Sequence, residues 1–210
     1  MNTLPAPESR IGLPAPADDL CLTFANTRYW RGRADPVETL QAPADLLHWL
    51  REPGGWPADA AFTSGEIGGR HLTEAVALRE TMFRIFAASA TGEPVAGSDI
   101  IVLNRALAEA PHRETVAVDG AVWRWDVPLR ERLSVSTLLA PVLWSAGDLL
   151  LGRRATRVRQ CANPECGWLF LDDSKSGNRR WCSMASCGNR AKAHRHYSKR
   201  KAMASSSGSA

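Results

Sequence analysis

Apolar and polar positions divide the chain into a long part with mostly helical spacing and a short basic part with no apolar stripe. Residues 1–18 are rich in Pro and Ala, have no periodicity, and read as an extended or loosely docked lead-in. From Leu20 the pattern changes: Leu20, Leu22 and Phe24 alternate with Cys21, Thr23 and Ala25, which fits either a short strand or the start of a helix. Leu46, Leu47, Trp49 and Leu50 share a helical face over 44–51, entered near Pro43 and broken by Pro53, Gly54, Gly55 and Pro57. A longer amphipathic helix is predicted over 69–90. Leu72, Val76, Met82, Phe83 and Phe86 form its apolar stripe, with Glu74, Arg79, Glu80 and Arg84 opposite; Glu80 and Arg84 have the spacing of a weak, exposed helical pair. Ser98 and Asp99 read as the N-cap and first turn of a helix carrying Ile100, Leu103 and Leu107, which Pro111 ends.

Over 114–126 the period shortens to two. Val116 and Val118, an Asp119-Gly120 turn, then Val122, Trp123 and Trp125 predict a β-hairpin. Leu138 to Leu151 reads as a buried helix, with Pro141 in its first turn or kinking it, and Gly152 ends it. The weakly charged run around it contains Ser134, Ser136, Thr137, Ser145 and Asp148 and is too polar to span a bilayer.

Charge sharpens the division. Residues 1–152 hold 13 Arg and no Lys against 19 Asp and Glu, a net of −6, whereas residues 153–210 hold 13 basic against 3 acidic residues, a net of +10. From Ser174 onward there is no acid at all. Such a surface calls for a polyanion.

The cysteines add chemistry. Cys161, Cys166, Cys182 and Cys187 follow the pattern C-x4-C-x15-C-x4-C, two close thiol pairs across a short spacer, as a tetrahedral ion requires. The N-terminus lacks a basic start followed by an apolar core, so a reducing cytoplasm and thiolate-bound Zn²⁺ are expected rather than disulfides. Cys21, alone in an apolar run, reads as a small buried hydrophobe. In the first pair, Pro164 fixes a backbone angle and Gly167 permits a positive φ that turns amides toward the sulfurs. Residues 168–171 read as a strand, 173–177 as a turn and 179–181 as the return strand delivering Cys182. Cys182 and Cys187 cannot share one face of a regular helix, because five residues of α-helix turn by roughly 500°, about 140° net. One must precede the helix, which is expected to start near Ser186 or Asn189 and run to Lys201 with the metal tethering its N-terminal end. A module of this size has too little apolar burial to fold without its ion.

Cys187-Gly188-Asn189-Arg190, preceded by Trp181-Cys182-Ser183-Met184, resembles the CGNR zinc finger of bacterial regulators, and the likeness extends over residues 158–200. In such proteins the finger follows a domain called ABATE, described as a stress-induced transcription regulator. Leu22, Phe24, Asn26-Thr27, Leu46 and Trp49-Leu50 resemble the opening of that domain, and the apolar helix before Arg153 resembles its end.

The expected fold class is α+β: a mainly helical N-terminal domain with a small β-hairpin over 1–152, a treble-clef-like four-cysteine finger with a basic helix over 153–201, and a disordered tail over 202–210. Cys161, Cys166, Cys182 and Cys187 would hold a structural zinc ion whose filled coordination shell leaves no catalytic position, and no reaction is expected. Arg179, Arg180, Lys192, Arg195, Lys199 and Arg200 are candidate phosphate contacts. Asn189 and Arg190 are candidates for base edges, with helix capping and bracing of the knuckle as the structural alternative. His194 and His196 read as facing solvent or phosphate. Asn26 and Arg28, with Arg31, are candidates for lining a pocket for an acidic small-molecule effector; arginines around a surface turn are the alternative. The implied protein is a cytoplasmic transcription regulator binding DNA, as a homodimer if its operator is a palindrome. An RNA- or protein-binding finger is the alternative, RNA being favoured if Trp168 and Phe170 lie exposed on a sheet. An enzyme in the N-terminal part is the third reading.

Overall fold

The computed structural model describes residues 9–57, 60, 62, 66–129, 133–193 and 197. The lead-in contributes β1 (Ser9–Leu13), and the segment from Leu20 is a helix, α1 (Leu20–Ala25). A short ribbon follows, β2 (Arg28–Tyr29) paired antiparallel with β3 (Val37–Glu38). Then come α2 (Pro43–Arg51), with Pro43 in its first turn, the long α3 (Gly69–Thr91) and α4 (Gly97–Glu109). The hairpin is β4 (Thr115–Asp119) and β5 (Val122–Leu129), and the apolar run forms α5 (Val135–Leu138) and α6 (Ala140–Leu151), with Pro141 in the first turn of α6. A 3-10 turn at Arg153–Arg157 leads into β6 (Val158–Gln160), which pairs with β7 (Leu169–Leu171). Last among the described residues are a wide π-type turn at Met184–Gly188 and helical residues 189–193 and 197. The architecture is the expected α+β one: a mainly helical N-terminal domain with small sheets and a four-cysteine module behind it.

One apolar core holds the larger part together. Leu22, Phe24, Leu46, Met82, Ile85, Phe86, Leu138 and Leu143 are almost wholly removed from water, and the Phe24 and Trp49 rings meet at 4.7 Å. Two buried indoles satisfy their N–H groups on loop and helix-end carbonyls: Trp56 donates to Leu138 O at 2.8 Å and Trp144 to Pro111 O at 3.1 Å. Cys21 is fully buried, and that burial pushes its thiol up to about 12, so it stays protonated and inert. Val158, Leu169 and Leu171 belong to the same core, so β6 and β7 pack on α3 as an extension of the N-terminal domain.

Several local expectations are corrected. Residues 9–13 are not a loose lead-in but an edge strand of a three-stranded sheet ordered β1-β5-β4, with Leu13 buried opposite Trp125. Five residues flanked by Pro were too short to show a period. The hairpin loop is Gly120-Ala121, since Asp119 still pairs with Val122. Helix α4 begins at Gly97 without a side-chain cap, and Asp99 is instead clasped by Arg84 at 2.6 Å. Strand β7 pairs with β6, and residues 179–181 form no strand; Arg180 O only accepts from Ala162 N at 2.9 Å.

The largest departure concerns Arg79, placed by periodicity on the polar face of α3 but fully buried. Tertiary pairing outweighs the period: its guanidinium makes two 2.6 Å bonds to Glu38 on β3, one to Glu80 at 2.9 Å, and one to Thr27 Oγ at 3.1 Å. Glu80 in turn binds Arg31 at 2.6 Å rather than pairing with Arg84. Burial raises the pKa of both glutamates. The guanidinium partners outweigh it, Arg79 on Glu38 and Arg31 with Arg79 on Glu80, and hold both carboxyls below the ordinary glutamate range. Depressed folded values mean that this network stabilises fully above the unfolded glutamate value and is lost as pH falls through the folded values. Replacing Arg79 by Met leaves two half-buried carboxylates short of a partner, and chemical denaturation should register a loss of about 3 kcal/mol near pH 7. The difference between variant and parent should shrink as pH falls below about 4, where the parent's own network is dismantled by protonation of Glu38 and Glu80.

Candidate metal centre

The four thiols that lie far apart in sequence converge: all four Sγ atoms lie within 4.8 Å of one another, with Cys166–Cys182 at 3.7 Å and Cys182–Cys187 at 3.8 Å. Zinc–thiolate bonds of about 2.3 Å place tetrahedral sulfurs ~3.8 Å apart, so the cage has the dimensions of a ZnS4 site, whereas a disulfide would need about 2.05 Å. Every cysteine is a free thiol.

Local sequence explains the convergence. In the first loop, Cys161 N–H donates to Trp168 O at 2.7 Å and Cys166 N–H to Asn163 O at 2.9 Å. Gly167 has φ +71°, the left-handed conformation its position suggested, and a Cβ there would lie 2.9 Å from Arg31 Cβ. On the other side, Cys182 precedes the helix, as the rotation argument requires. The π-type turn meets the five-residue spacing: Gly188 N–H donates to Ser183 O at 3.0 Å, an i→i+5 closure that brings Cys187 back beside Cys182.

Electrostatics differs among the thiols. Burial pushes Cys166 up to about 12, and burial with its sulfur neighbours raises Cys182 further. Burial also opposes ionisation of Cys187, but the Asn163 amide at 3.4 Å and the Ser186 hydroxyl at 3.7 Å outweigh it and bring that thiol down to about 7. Closing the cage on an ion therefore displaces protons, and metal retention weakens as pH falls.

Asp172, absent from the sequence-level candidates, shapes the approach to Cys182. Its fully buried carboxylate accepts from Ser174 Oγ at 2.5 Å, Ser174 N at 3.0 Å and Arg179 N at 2.9 Å, and these bonds hold it below the usual aspartate range. The Asp-x-Ser pattern of an Asx turn was its signal. Arg179 lies over the Phe170 ring at 4.5 Å and donates to the carbonyls of Trp181 and Cys182.

Neither Asn26 nor Arg28 is among the residues lining the cavity beside the metal loops. The Asn26 amide is buried and wholly engaged by one backbone unit, donating to Leu169 O at 2.8 Å and accepting from Leu169 N at 3.0 Å, so it clamps β7 as a neighbouring strand would. Arg28 reaches Glu80 at 3.7 Å. The next loop supplies contacts that the sequence did not reveal. Arg31 N–H donates to Cys166 O at 3.3 Å and Gly32 N–H to Glu165 O at 3.2 Å, and a Cβ on Gly32 would fall 1.8 Å from Pro164 O. Arg33 pairs with Glu165 at 2.9 Å, and Arg154 joins Asp18 to Asp173.

Arg179, Arg180, Asn189, Arg190 and Lys192 are exposed. Arg190 lies over the Trp30 ring at 4.4 Å, Arg180 over Trp181 at 5.4 Å, and the Asn189 amide reaches Ala185 O at 3.4 Å. Arg195, Lys199 and Arg200, with His194, His196, the rest of the expected helix apart from Tyr197, and the tail, lie outside the described residues.

A four-thiol cage behind a helical domain defines a zinc-finger protein. Residues 18–153 match the family model ABATE, described as "Putative stress-induced transcription regulator", and residues 157–200 match the CGNR zinc finger. The chain belongs to the ABATE family, as its motifs led us to expect. No curated protein matches it. The donor set and the finger match together identify the cofactor as structural zinc, which cross-links the two loops when bound. Neither family is described as enzymatic, and among the described residues no helix is long and apolar enough to cross a membrane.

Chelation should release one zinc per chain and abolish hydrogen-exchange protection at Cys166 and Gly188 while sparing Leu169, which Asn26 holds; Cys182→Ser should reproduce that pattern without chelator. Asn26→Ala should do the converse, costing roughly 2–4 kcal/mol by orphaning both Leu169 backbone groups, as denaturant titration of the zinc-loaded protein would measure.

Proposed function

We propose that the protein regulates transcription by gripping DNA with the basic surface of its finger, zinc being held by Cys161, Cys166, Cys182 and Cys187. Residues 153–201 form the gripping unit, and residues 1–152 sense a small molecule or mediate self-association, in the cytoplasm. The observation that carries this reading is how the acids are disposed. All three acidic residues of the segment 153–210 are spent within the protein: Asp172 inside a turn, Asp173 on Arg154 and Glu165 on Arg33. What remains outward is positive, with Arg180 and Lys192 making no ion pair among the described residues. Arg179, Arg180, Lys192, Arg195, Lys199 and Arg200 are assigned to phosphates, and Asn189 and Arg190 to base edges. Trp30 beneath Arg190 pre-orients that guanidinium.

The RNA alternative needs an open aromatic sheet. Phe170 is 8% exposed and covered by Arg179, and Trp168 is half-buried with its ring 5.5 Å from Tyr29. That disposition favours duplex DNA over stacked single strands. Arg180→Ala and Lys192→Ala should each weaken DNA binding uniformly across sequences. In fluorescence-anisotropy titrations over a salt series, each should lower the slope of log K against log salt by about 0.9; binding that ignores salt would defeat the proposal.

A further inference from the structure

The β2 exit and the metal loops border a half-open cavity of about 340 Å³, lined by Tyr29, Trp30, Cys166, Trp168, Ser183 and Ser186 with Cys182. We propose that it binds a flat aromatic molecule of one or two rings that carries no negative charge. The size lies within the range of small-molecule sites. The Tyr29 and Trp168 rings, 5.5 Å apart and inclined at 47°, give it aromatic walls, and the Ser183 and Ser186 hydroxyls give it hydrogen-bonding groups. No Lys, Arg or His lines it, and the zinc-bound Cys166 and Cys182 thiolates are negative, so a carboxylate or phosphate would lose its water without gaining a counter-charge.

Trp30 is the second feature of the wall. Among the described residues it alone, apart from glycines, has a positive φ, at 55°. A bulky residue in that conformation costs about 1–3 kcal/mol where glycine would cost nothing, so the indole is kept for what its side chain does. Arg33 at 4.0 Å and Arg190 at 4.4 Å from the ring centroid, with the Arg31 and Gly32 amides bonded to the first metal loop, hold it in the cavity wall.

This site gives chemical content to the sensing role and rests on that reading only for its consequence: with walls from both halves of the chain, an occupant favours one seating of the finger and so changes its grip on DNA. The test uses the full zinc-loaded chain, with 2-naphthol as probe and 2-naphthoate as its charged counterpart, followed by fluorescence. Saturable one-to-one binding of 2-naphthol is expected, with 2-naphthoate about tenfold weaker or more. Ser183→Phe, which fills the cavity, and Tyr29→Leu, which removes a wall, should each weaken 2-naphthol about tenfold while zinc content stays at one per chain. Absence of saturable binding, equal affinity for 2-naphthoate, or undiminished binding by zinc-loaded Ser183→Phe overturns the proposal. A DNA titration without probe is run on the same samples. Probe binding without DNA binding sinks the regulator reading and leaves the pocket standing; the reverse sinks the pocket alone.

Discussion

Four sulfurs gathered within 4.8 Å are the constraint on which the C-terminal third depends. Zinc joins loops that little else fastens. Between Gly167 and Cys182 the chain has one short strand, a turn organised by a buried aspartate, and an irregular return. Beyond Cys182 a widened turn brings a thiol five residues on back to the same ion. The helix that begins at 189 has Arg190 and Lys192 on its first turn and little apolar surface of its own, so its direction is set at the cage rather than by packing.

The cage is in turn seated on the helical part through backbone. Asn26 holds Leu169, and the amides of Arg31 and Gly32 hold the carbonyls of Cys166 and Glu165. Arg31 also binds Glu80 on α3, which binds Arg79, which binds Glu38. A continuous chain of charged contacts therefore runs from the middle of the longest helix to the first metal loop. It ties the two family segments together through contiguous contacts.

Much of this was legible in the sequence because strong local signals agree with the final packing. The spacing of Leu46, Trp49 and Leu50 and the apolar stripe of Met82 and Phe86 marked α2 and α3, and the cysteine spacing marked the metal centre and placed Cys182 ahead of the helix. What stayed hidden depends on partners distant in sequence. Arg79 sits on a helix face that only Glu38, 41 residues away, makes tolerable for a buried charge, and Asn26 reads as a loop residue until its amide meets Leu169, 143 residues on. The β6–β7 pairing was misassigned because Arg159 and Gln160 carry no strand pattern; they become a strand only against Leu169 and Phe170. The cavity beside Trp30 is formed by segments more than a hundred residues apart and has no sequence motif.

Val158, Leu169 and Leu171 lie in the main apolar core although they belong to the segment matched as the finger. Severing the polypeptide between the two matched segments would strip α3 of its cover and leave those three side chains bare on a fragment already short of apolar burial. The natural seam for fragment expression is thus not where the sequence families meet, and any piece meant to behave as the intact protein does must keep α1, α3 and the cysteine loops on one polypeptide.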